Sequence, residues 1–542
     1  MSRGIACGAG KLWDKAKELS HTRGAAIVAS CAAACLICWT AIYGWTSDVA
    51  SDVPFFLSTG RHIVENGIPY ENPFSVEPGL RIVVQQWLWD VVCWLLYSVA
   101  GGRGVSFLGT ALVFCVAAQM ARCLRACRGE ERISCSDLFI AGIITFLGSG
   151  WIVQVRPHLL TMCAMLECVI VCEKTRRDGE LRRLSSLPLL MICHMQVHMA
   201  MAWLDVFIVA CYELPKRPPA HGEGFAAWAK KGARAAAPYL ICCAAMALVS
   251  PINPYGVAGA MYVFNSSGAA AYRSAITEML PFAKAVLLDG PSGWVVWAYI
   301  FIGCALAPAA VSMARRRYDL RHLAICAAAL VATLMHVRSG WIVCLSGAAL
   351  WADALGGAGS ETDERADRQG TAGIPHPVFL SILVAGACVV AMATQPCARQ
   401  KHLDTYGEDF APLIARAKQE NAAAGDAETR VLCMRWVDFN YLELMGEPVL
   451  VDARPEIWEP AVSGSDKHLN QEFFDAIGAG PDGCEVDDQT FHDYVRRHGV
   501  TDVVAFAGTS VQNPCDLDGV YSLDWLEKTG ERGAWVLLHV EE

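Results

Sequence analysis

Residues 24–44, GAAIVASCAAACLICWTAIYG, carry no charged side chain. About 20 apolar residues in a row is what the hydrocarbon core of a bilayer requires of a helix, because no water is there to satisfy backbone N–H and C=O groups. Apolar runs recur near 105–121, 137–154, 158–173, 236–251, 293–314, 322–337, 340–355 and 377–394. Only 18% of the residues are charged and 54% are hydrophobic, against roughly 25% charge in soluble domains. Such a chain is neither a soluble enzyme nor a disordered tail protein. Its formal net charge of −10 also excludes a nucleic-acid binder held by bulk positive charge. The 24 cysteines fall mostly inside apolar runs, as at Cys31, Cys35, Cys242, Cys243 and Cys344. There they serve as small buried hydrophobes rather than as a disulfide framework.

The charge is unevenly placed. Residues 396–542 hold 12 basic and 28 acidic groups, a net −16, whereas the rest of the chain holds 32 and 26, a net +6. Asymmetry of this kind divides the chain into a membrane part and a water-facing part. Arg3, Lys11, Lys15, Lys17 and Arg23 precede the first run and keep residues 1–23 in the cytoplasm. That run is long and lacks a clean cleavage site, so it reads as an uncleaved span. The segment 85–100, QQWLWDVVCWLLYSVA, is short, carries Asp90 and is rich in Trp, which suits an amphipathic helix at the outer interface. With it placed there, the basic stretches 122–132, 174–183, 215–234 and 314–322 all fall inside. Two short segments, 186–197 and 199–213, form a hairpin with polar Gln196 and His198 at its tip, as in a broken element lining a cavity. The expectation is a polytopic α-helical membrane protein of about 11 spans over 24–395, with a large outer loop at 45–104. It is multi-pass in the plasma (inner) membrane, and the C-terminal domain, 396–542, is extracytoplasmic.

That domain reads as α/β. RVLCM (430–434), PVLVDA (448–453), TDVVAFA (501–507) and AWVLLHV (534–540) have strand character. Segments 436–446, 469–478 and 489–499 have helical spacing between them, which predicts a parallel sheet. No GxGxxG or P-loop follows a strand, so nucleotide binding is unsupported. Asp452 and Arg454 end a strand, where open α/β sheets bind ligands. The plainer reading of the same two residues is a structural ion pair.

The orientation gathers polar residues on the outer side. The first loop contributes Asp48 and Asp52, and the turn before the span at 158 contributes Arg156-Pro157-His158. Gln196 and His198 come from the hairpin tip, Asn253 and Glu278 from the loop 251–292, and His336 and Arg338 from the turn at 336–339. The inner loops read as Lys/Arg anchors with nothing comparable. Ionisable groups at membrane depth are costly and mark functional sites. Arg156 and Arg338 suit bidentate binding of a phosphate. Asp52 suits a general base toward a hydroxyl, which needs only hydrogen-bond reach and a suitable pKa. Each has a structural alternative: Asp52 as a helix cap, the arginines as interfacial anchors, His158 and His198 as satisfied interface residues, Asn253 as a turn residue.

The first outer loop also carries an ordered pattern. Asp52-Val-Pro-Phe-Phe-Leu-Ser-Thr-Gly60-Arg61 is followed by Gly67-Ile-Pro69, Asn72-Pro73-Phe74-Ser75 and Gln86-Trp87-Leu88. Arg156-Pro157, the hairpin with His198, Asn253-Pro254-Tyr255-Gly256 and Val451-Asp452-Ala453-Arg454 come later. This order resembles a group of bacterial polytopic proteins similar to the GT-C class of glycosyltransferases, the polyprenyl-phosphate-sugar-dependent enzymes related to protein O-mannosyltransferases. The resemblance implies a GT-C-like fold, an outward active site under the first loop, an inverting transfer, and Asp52 as the loop's catalytic carboxylate. Three positions depart from the pattern: Phe56 stands where it has His, Gln196 where it has Asn, and Gln86 where it has Glu.

The function expected is a membrane glycosyltransferase. It takes a sugar from a polyprenyl-phosphate-linked donor and passes it to a cell-envelope glycan, lipid or protein on the outer face. The alternative is a non-catalytic membrane protein, a transporter or an envelope-assembly partner. Its partners are the lipid bilayer, the sugar donor and the acceptor, with no nucleic acid. No cofactor is demanded. Carboxylates suit a divalent cation such as magnesium or manganese, but no ligand spacing requires one.

Overall fold

The computed structural model describes residues 23–46, 52–129, 135–150, 155–219, 224–266, 280–289, 293–355, 395–425, 428–480, 483–507 and 517–541. Asp48, Glu278 and the expected span 377–394 lie outside them. The body is helical, and its longer helices are α1 (Arg23–Thr46), α2 (Val53–Asn66), α3 (Trp87–Arg128), α4 (Cys135–Gly150), α5 (His158–Asp178), α6 (Ser186–Val197), α7 (Met199–Cys211), α8 (Phe225–Val249), α9 (Gly293–Ala314), α10 (Leu320–Met335) and α11 (Gly340–Leu355). Helices therefore occupy the apolar runs expected at 105–121, 137–154, 158–173, 236–251, 293–314, 322–337 and 340–355. Among the described residues, one helix, α3, is by itself long and apolar enough to cross a membrane.

Small residues let these helices approach closely, as in membrane bundles generally. A Cβ on Gly142 of α4 would fall 2.8 Å from Ala33 Cα of α1, and one on Gly347 of α11 would fall 2.8 Å from the Cys304 carbonyl oxygen of α9. These are the helix pairs that pack together.

The segment 85–100 and the run at 105–121 form one helix with a kink. Gly101 sits inside α3 at φ 60°, ψ −154°, a conformation that only glycine adopts freely. The break frees the Gly102 N–H, which donates to Gln400 Oε1 at 2.6 Å. Arg399 Nη1 donates to Ser106 Oγ at 2.7 Å in the next turn. The chain entering the C-terminal domain is thus plugged into the kink of α3, through α12 (Ala398–Thr405).

In the hairpin, α6 and α7 are separated by His198 alone, at φ −158°, ψ 75°. The break leaves Met199 N free to donate to the Gln85 carbonyl at 2.9 Å, so the hairpin tip is tied to the first loop.

The C-terminal domain continues with α13 (Ala411–Ala424), β1 (Val431–Cys433), α14 (Phe439–Met445), α15 (Leu469–Ala476), α16 (Asp488–Arg497), β2 (Asp502–Phe506), β3 (Leu526–Arg532) and β4 (Trp535–Val540). The sheet order is β1-β2-β4-β3. Val431 pairs with Asp502 in parallel, while β2/β4 and β4/β3 are antiparallel. The expectation of a parallel sheet is corrected accordingly: β3 and β4 join by a tight turn at Gly533, which needs no crossover helix.

The second correction concerns 448–453, which is not a strand of that sheet. Val449 N donates to the Phe74 carbonyl at 2.7 Å, and Val76 N donates to the Val449 carbonyl at 3.0 Å. Its residues pair with the loop 67–86 instead. Arg81 N donates to the Ser463 carbonyl at 2.8 Å, adding a second tie. An apolar run shows that a segment is buried, but not which edge it joins.

Candidate functional site

Helix α2 begins at Asp52, which occupies the N-cap position with Pro54 just inside the helix. Its side chain makes no capping hydrogen bond. The carboxylate instead pairs with Arg156 Nε, and both side chains are mostly buried, at 19% and 13% exposure. Gly60 is what lets α2 lie so near: a Cβ there would overlap the Asp90 carbonyl and stand 2.8 Å from Trp94 Cβ of α3.

His158, at the first turn of α5, meets the His198 ring edge-to-face at 4.7 Å, with Trp341 on its other side at 5.8 Å. Both imidazoles lie within electrostatic reach of Arg156 and Arg338. Arg338 sits in the turn between α10 and α11, on the short helix Val337–Ser339. Four chain segments far apart in sequence thus bring Asp52, Arg156, His158, His198 and Arg338 together at one end of the bundle.

Beneath them runs a buried polar chain that the sequence reading missed. Asp205 Oδ2 lies 2.7 Å from His194 Nδ1. His194 Nε2 lies 2.9 Å from Thr161 Oγ1, and Thr161 Oγ1 lies 2.8 Å from His198 Nδ1. With Asp205 as the carboxylate, the polarity is set. Asp205 accepts from His194 Nδ1–H, His194 Nε2 accepts from the Thr161 hydroxyl, and that hydroxyl accepts from His198 Nδ1–H. His198 Nε2 is then an acceptor. The available signals were an acidic residue inside an apolar helix and the i, i+4 spacing of His194 and His198.

Gln196 and Asn253 have structural roles here. Gln196 Nε2 donates to the Ile192 and Ile252 carbonyls at 2.9 and 2.7 Å, and its Oε1 accepts from Trp87 Nε1 at 3.3 Å. Asn253 Nδ2 donates to the Ser250 and Gly256 carbonyls, both at 2.9 Å, and its Oδ1 accepts from Tyr255 N at 2.9 Å. Tyr255 then reaches the Pro69 carbonyl at 3.0 Å, and Tyr70 reaches the Pro254 carbonyl at 3.3 Å. Much of the ordered pattern in the sequence therefore staples the first loop in place, and this positions Asp52.

Asp452 and Arg454 form part of a buried ion cluster. Arg454 Nε donates to Asp452 Oδ2 at 3.0 Å, Nη2 to Glu443 Oε1 at 2.6 Å and Nη1 to Thr59 Oγ1 of α2 at 3.0 Å. Its guanidinium lies over the Phe55 ring at 4.8 Å. Ser58 Oγ donates to Glu443 Oε2 at 3.1 Å. Burial pushes Glu443 above the ordinary carboxylate range, and Arg454 offsets this only in part. Burial pushes Asp452 upward as well, but the charge of Arg454 together with hydrogen bonds from Glu443, Arg454 and Trp458 holds it below its ordinary value. The cluster joins the C-terminal domain to α2. The cavity next to it, about 20 Å³ between Gln86, Asp90, Arg454 and Glu456, has room for a water.

A larger cleft of about 290 Å³ opens between Tyr70, Arg81, Tyr255, Tyr262, Asn265 and the segment 461–462. It does not include Asp52, Arg156 or Arg338.

Among the described residues, the Asp52 carboxylate faces Arg156 and the two imidazoles meet edge-to-face. Among the described residues, the grouping with metal-ligand spacing is Glu173, Asp319 and His322, at the opposite end of the bundle. The expectation that this end holds only basic anchors is thereby overturned. Glu173 lies in the C-terminal part of α5 and Asp319 opens α10, and both side chains are buried among the helices.

No protein-family model and no curated protein matches the sequence. Among solved structures, the chain is similar to the Archaeoglobus fulgidus oligosaccharyltransferase tethered to an acceptor peptide containing the NVT sequon. The TM-score is 0.49 at 11% identity, over 88% of this chain and 69% of that one. It is similar also to the archaeal oligosaccharyltransferase AglB from the same organism, in complex with an inhibitory peptide and a dolichol-phosphate. There the TM-score is 0.49 at 10% identity, again over 88% and 69%.

Proposed function

We propose that the chain is a membrane glycosyltransferase that moves a sugar from a polyprenyl-phosphate-linked donor to a cell-envelope acceptor. The observation that supports this best is the Asp52–Arg156 pair beside His158, His198 and Arg338, built from separate segments at one end of the bundle. The acceptor hydroxyl attacks the anomeric carbon, the bond from that carbon to the phosphate oxygen breaks, and the phosphate leaves with the electron pair. Asp52 takes the proton of the attacking hydroxyl. Arg156 and Arg338 hold the departing phosphate, whose charge grows in the transition state. Arg156 is paired with Asp52 before the donor arrives. A phosphate that engages Arg156 draws it off the carboxylate, so donor binding releases the base. The tyrosine-lined cleft beside the loop offers ring faces and the Asn265 amide to the acceptor.

The test is transfer from a panel of synthetic polyprenyl-phosphate hexoses in membranes carrying the protein. Asp52→Asn is expected to lower transfer about 10²–10⁴-fold, and Arg156→Lys to raise the KM for the donor more than it lowers kcat. Transfer left intact in Asp52→Asn sinks the base assignment.

The Asp205–His194–Thr161–His198 chain also suits a second reading, a proton-linked transporter. Thr161→Val separates the two, because it cuts that chain while leaving Asp52 and Arg156 untouched. A transporter loses proton-linked flux, whereas a transferase keeps measurable sugar transfer.

A further inference from the structure

The end of the bundle away from Asp52 holds the second convergence of ionisable groups. His158 and Glu173 stand at opposite ends of α5, about 22 Å apart at 1.5 Å per residue. Glu173 there meets Asp319 and His322 from the start of α10, Asp353 from the end of α11 and Tyr212 from the end of α7. Ligand atoms of Glu173, Asp319 and His322 all lie within 4.8 Å of one another.

The bonding within the cluster is uneven. Arg176 Nη2 donates to Glu173 Oε2 at 2.7 Å, and its Nη1 donates to Asp319 Oδ2 at 3.0 Å. Asp319 Oδ1 caps α10 by accepting from Arg321 N at 3.0 Å. Arg321 itself turns away, with Nε on the Leu214 carbonyl at 2.7 Å. His322 Nδ1 lies 2.8 Å from Asp353 Oδ2, which sets Nδ1 as the protonated nitrogen and leaves the Nε2 lone pair to accept from Tyr212 Oη or to bind an ion. Glu173 Oε1, on a side chain 2% exposed, accepts no hydrogen bond and faces His322 Nε2 across 3.4 Å. A charge-assisted N–H···O bond measures about 2.7–2.9 Å. The edge between two N/O ligands of a tetrahedral ion at about 2.1 Å is roughly 3.4 Å.

We infer that Glu173 Oε1, His322 Nε2 and the Asp319 carboxylate bind a zinc ion, in a site separate from the transfer site. The mixed imidazole and carboxylate set suits zinc. Tyr212 Oη, 3.3 Å from His322 Nε2, stands beside the fourth position. Arg176 and Asp353 are outer partners that orient the two carboxylates and the imidazole. The ion clamps the ends of α5, α10 and α11 while their other ends carry His158 and Arg338. This inference does not rest on the transferase reading.

The experiment uses the full chain purified in detergent, stripped with a chelator and re-equilibrated with zinc. The readouts are metal content by mass spectrometry and the unfolding midpoint. About one zinc per chain is expected, with a midpoint that rises with zinc. Glu173→Gln and His322→Gln are expected to weaken binding at least tenfold. Asp353→Asn, which does not touch the ion, is expected to weaken it about 10–100-fold. Glu408→Gln, on the C-terminal domain, leaves binding unchanged. If the ligand variants do not fold, Asp353→Asn and the zinc response of the wild type decide. The inference is overturned by a wild type that retains no zinc and shows no shift in midpoint. Zinc bound equally by the wild type and Asp353→Asn, or by folded ligand variants, overturns it too.

Discussion

Replacing Arg454 by Met tests how the C-terminal domain is held to α2. Arg454 is 7% exposed, and its three guanidinium nitrogens serve Asp452, Glu443 and Thr59. Met keeps apolar bulk over Phe55 and removes the charge. Asp452 and Glu443, both 0% exposed, then share a dry site with no cation between them. Removing one partner from a buried ion cluster costs about 3–5 kcal/mol, most of it the cost of the charge left behind. At roughly 2–4 °C per kcal/mol for a cooperative unit of 150–250 residues, the unfolding midpoint falls by about 6–20 °C. The assay is thermal unfolding of the detergent-solubilised chain at a fixed scan rate, paired with limited proteolysis of the 395–425 region. The triple variant with Asp452→Asn and Glu443→Gln removes the stranded charge and is expected to recover about half of the loss. A midpoint within about 2 °C of wild type in Arg454→Met, roughly 1 kcal/mol or less on that scale, refutes the claim that this cluster docks the domain. A triple variant no better than the single refutes the charge explanation.

Other outcomes follow from single contacts. Gly60→Ala forces a methyl into the Asp90 carbonyl, separating α2 from α3. It is expected to cost about 1–3 kcal/mol and to lower transfer through misplacement of Asp52, as read by midpoint and kcat together. Thr161→Val keeps the side-chain volume but leaves His194 and His198 without their shared hydroxyl, a cost of about 1–3 kcal/mol in the midpoint. His498 lies between Glu77 of the first loop and Glu472 of α15, near Lys467 and Arg497, and burial lowers its pKa below the ordinary 6.5 despite the two carboxylates. The folded chain therefore resists a proton that the unfolded chain takes. Its contribution is complete above pH 6.5 and is lost as pH falls through the lowered folded value. His498→Asn is expected to flatten the decline of stability below pH 6.5 in urea titrations, and an unchanged slope would disprove the assignment.

Much of the helical framework could be read from apolar runs, because a run of that length has few folded alternatives. One break was legible as well. The polar pair Gln196 and His198 marks the hairpin tip, whereas 85–100 and 105–121, read as separate elements, are one helix kinked at Gly101. The sheet was read less well. Segment 448–453 has the continuous apolar run of a buried strand, and such a run is satisfied equally by pairing with Phe74 and Val76 of a distant loop. The same limit applies to the site. Arg156, His158, His198 and Arg338 were visible as polar residues at the ends of apolar runs. Their company, Thr161, His194 and Asp205, was hidden inside those runs.

The sequence alone determined that this chain has a helical, apolar body and an acidic C-terminal domain, since burial periodicity and charge distribution are local properties. It also offered a helix cap as one of two readings of Asp52. Only the tertiary structure decided what that carboxylate faces. A helix cap and an ion pair with Arg156 look alike in one dimension, and the choice depends on where α5 begins relative to α2. Asp452, Arg454 and the cluster around Glu173 follow the same rule. A buried charge is defined by its partners, and some of those partners, such as Thr59 for Arg454 and His322 for Glu173, lie more than a hundred residues away along the chain.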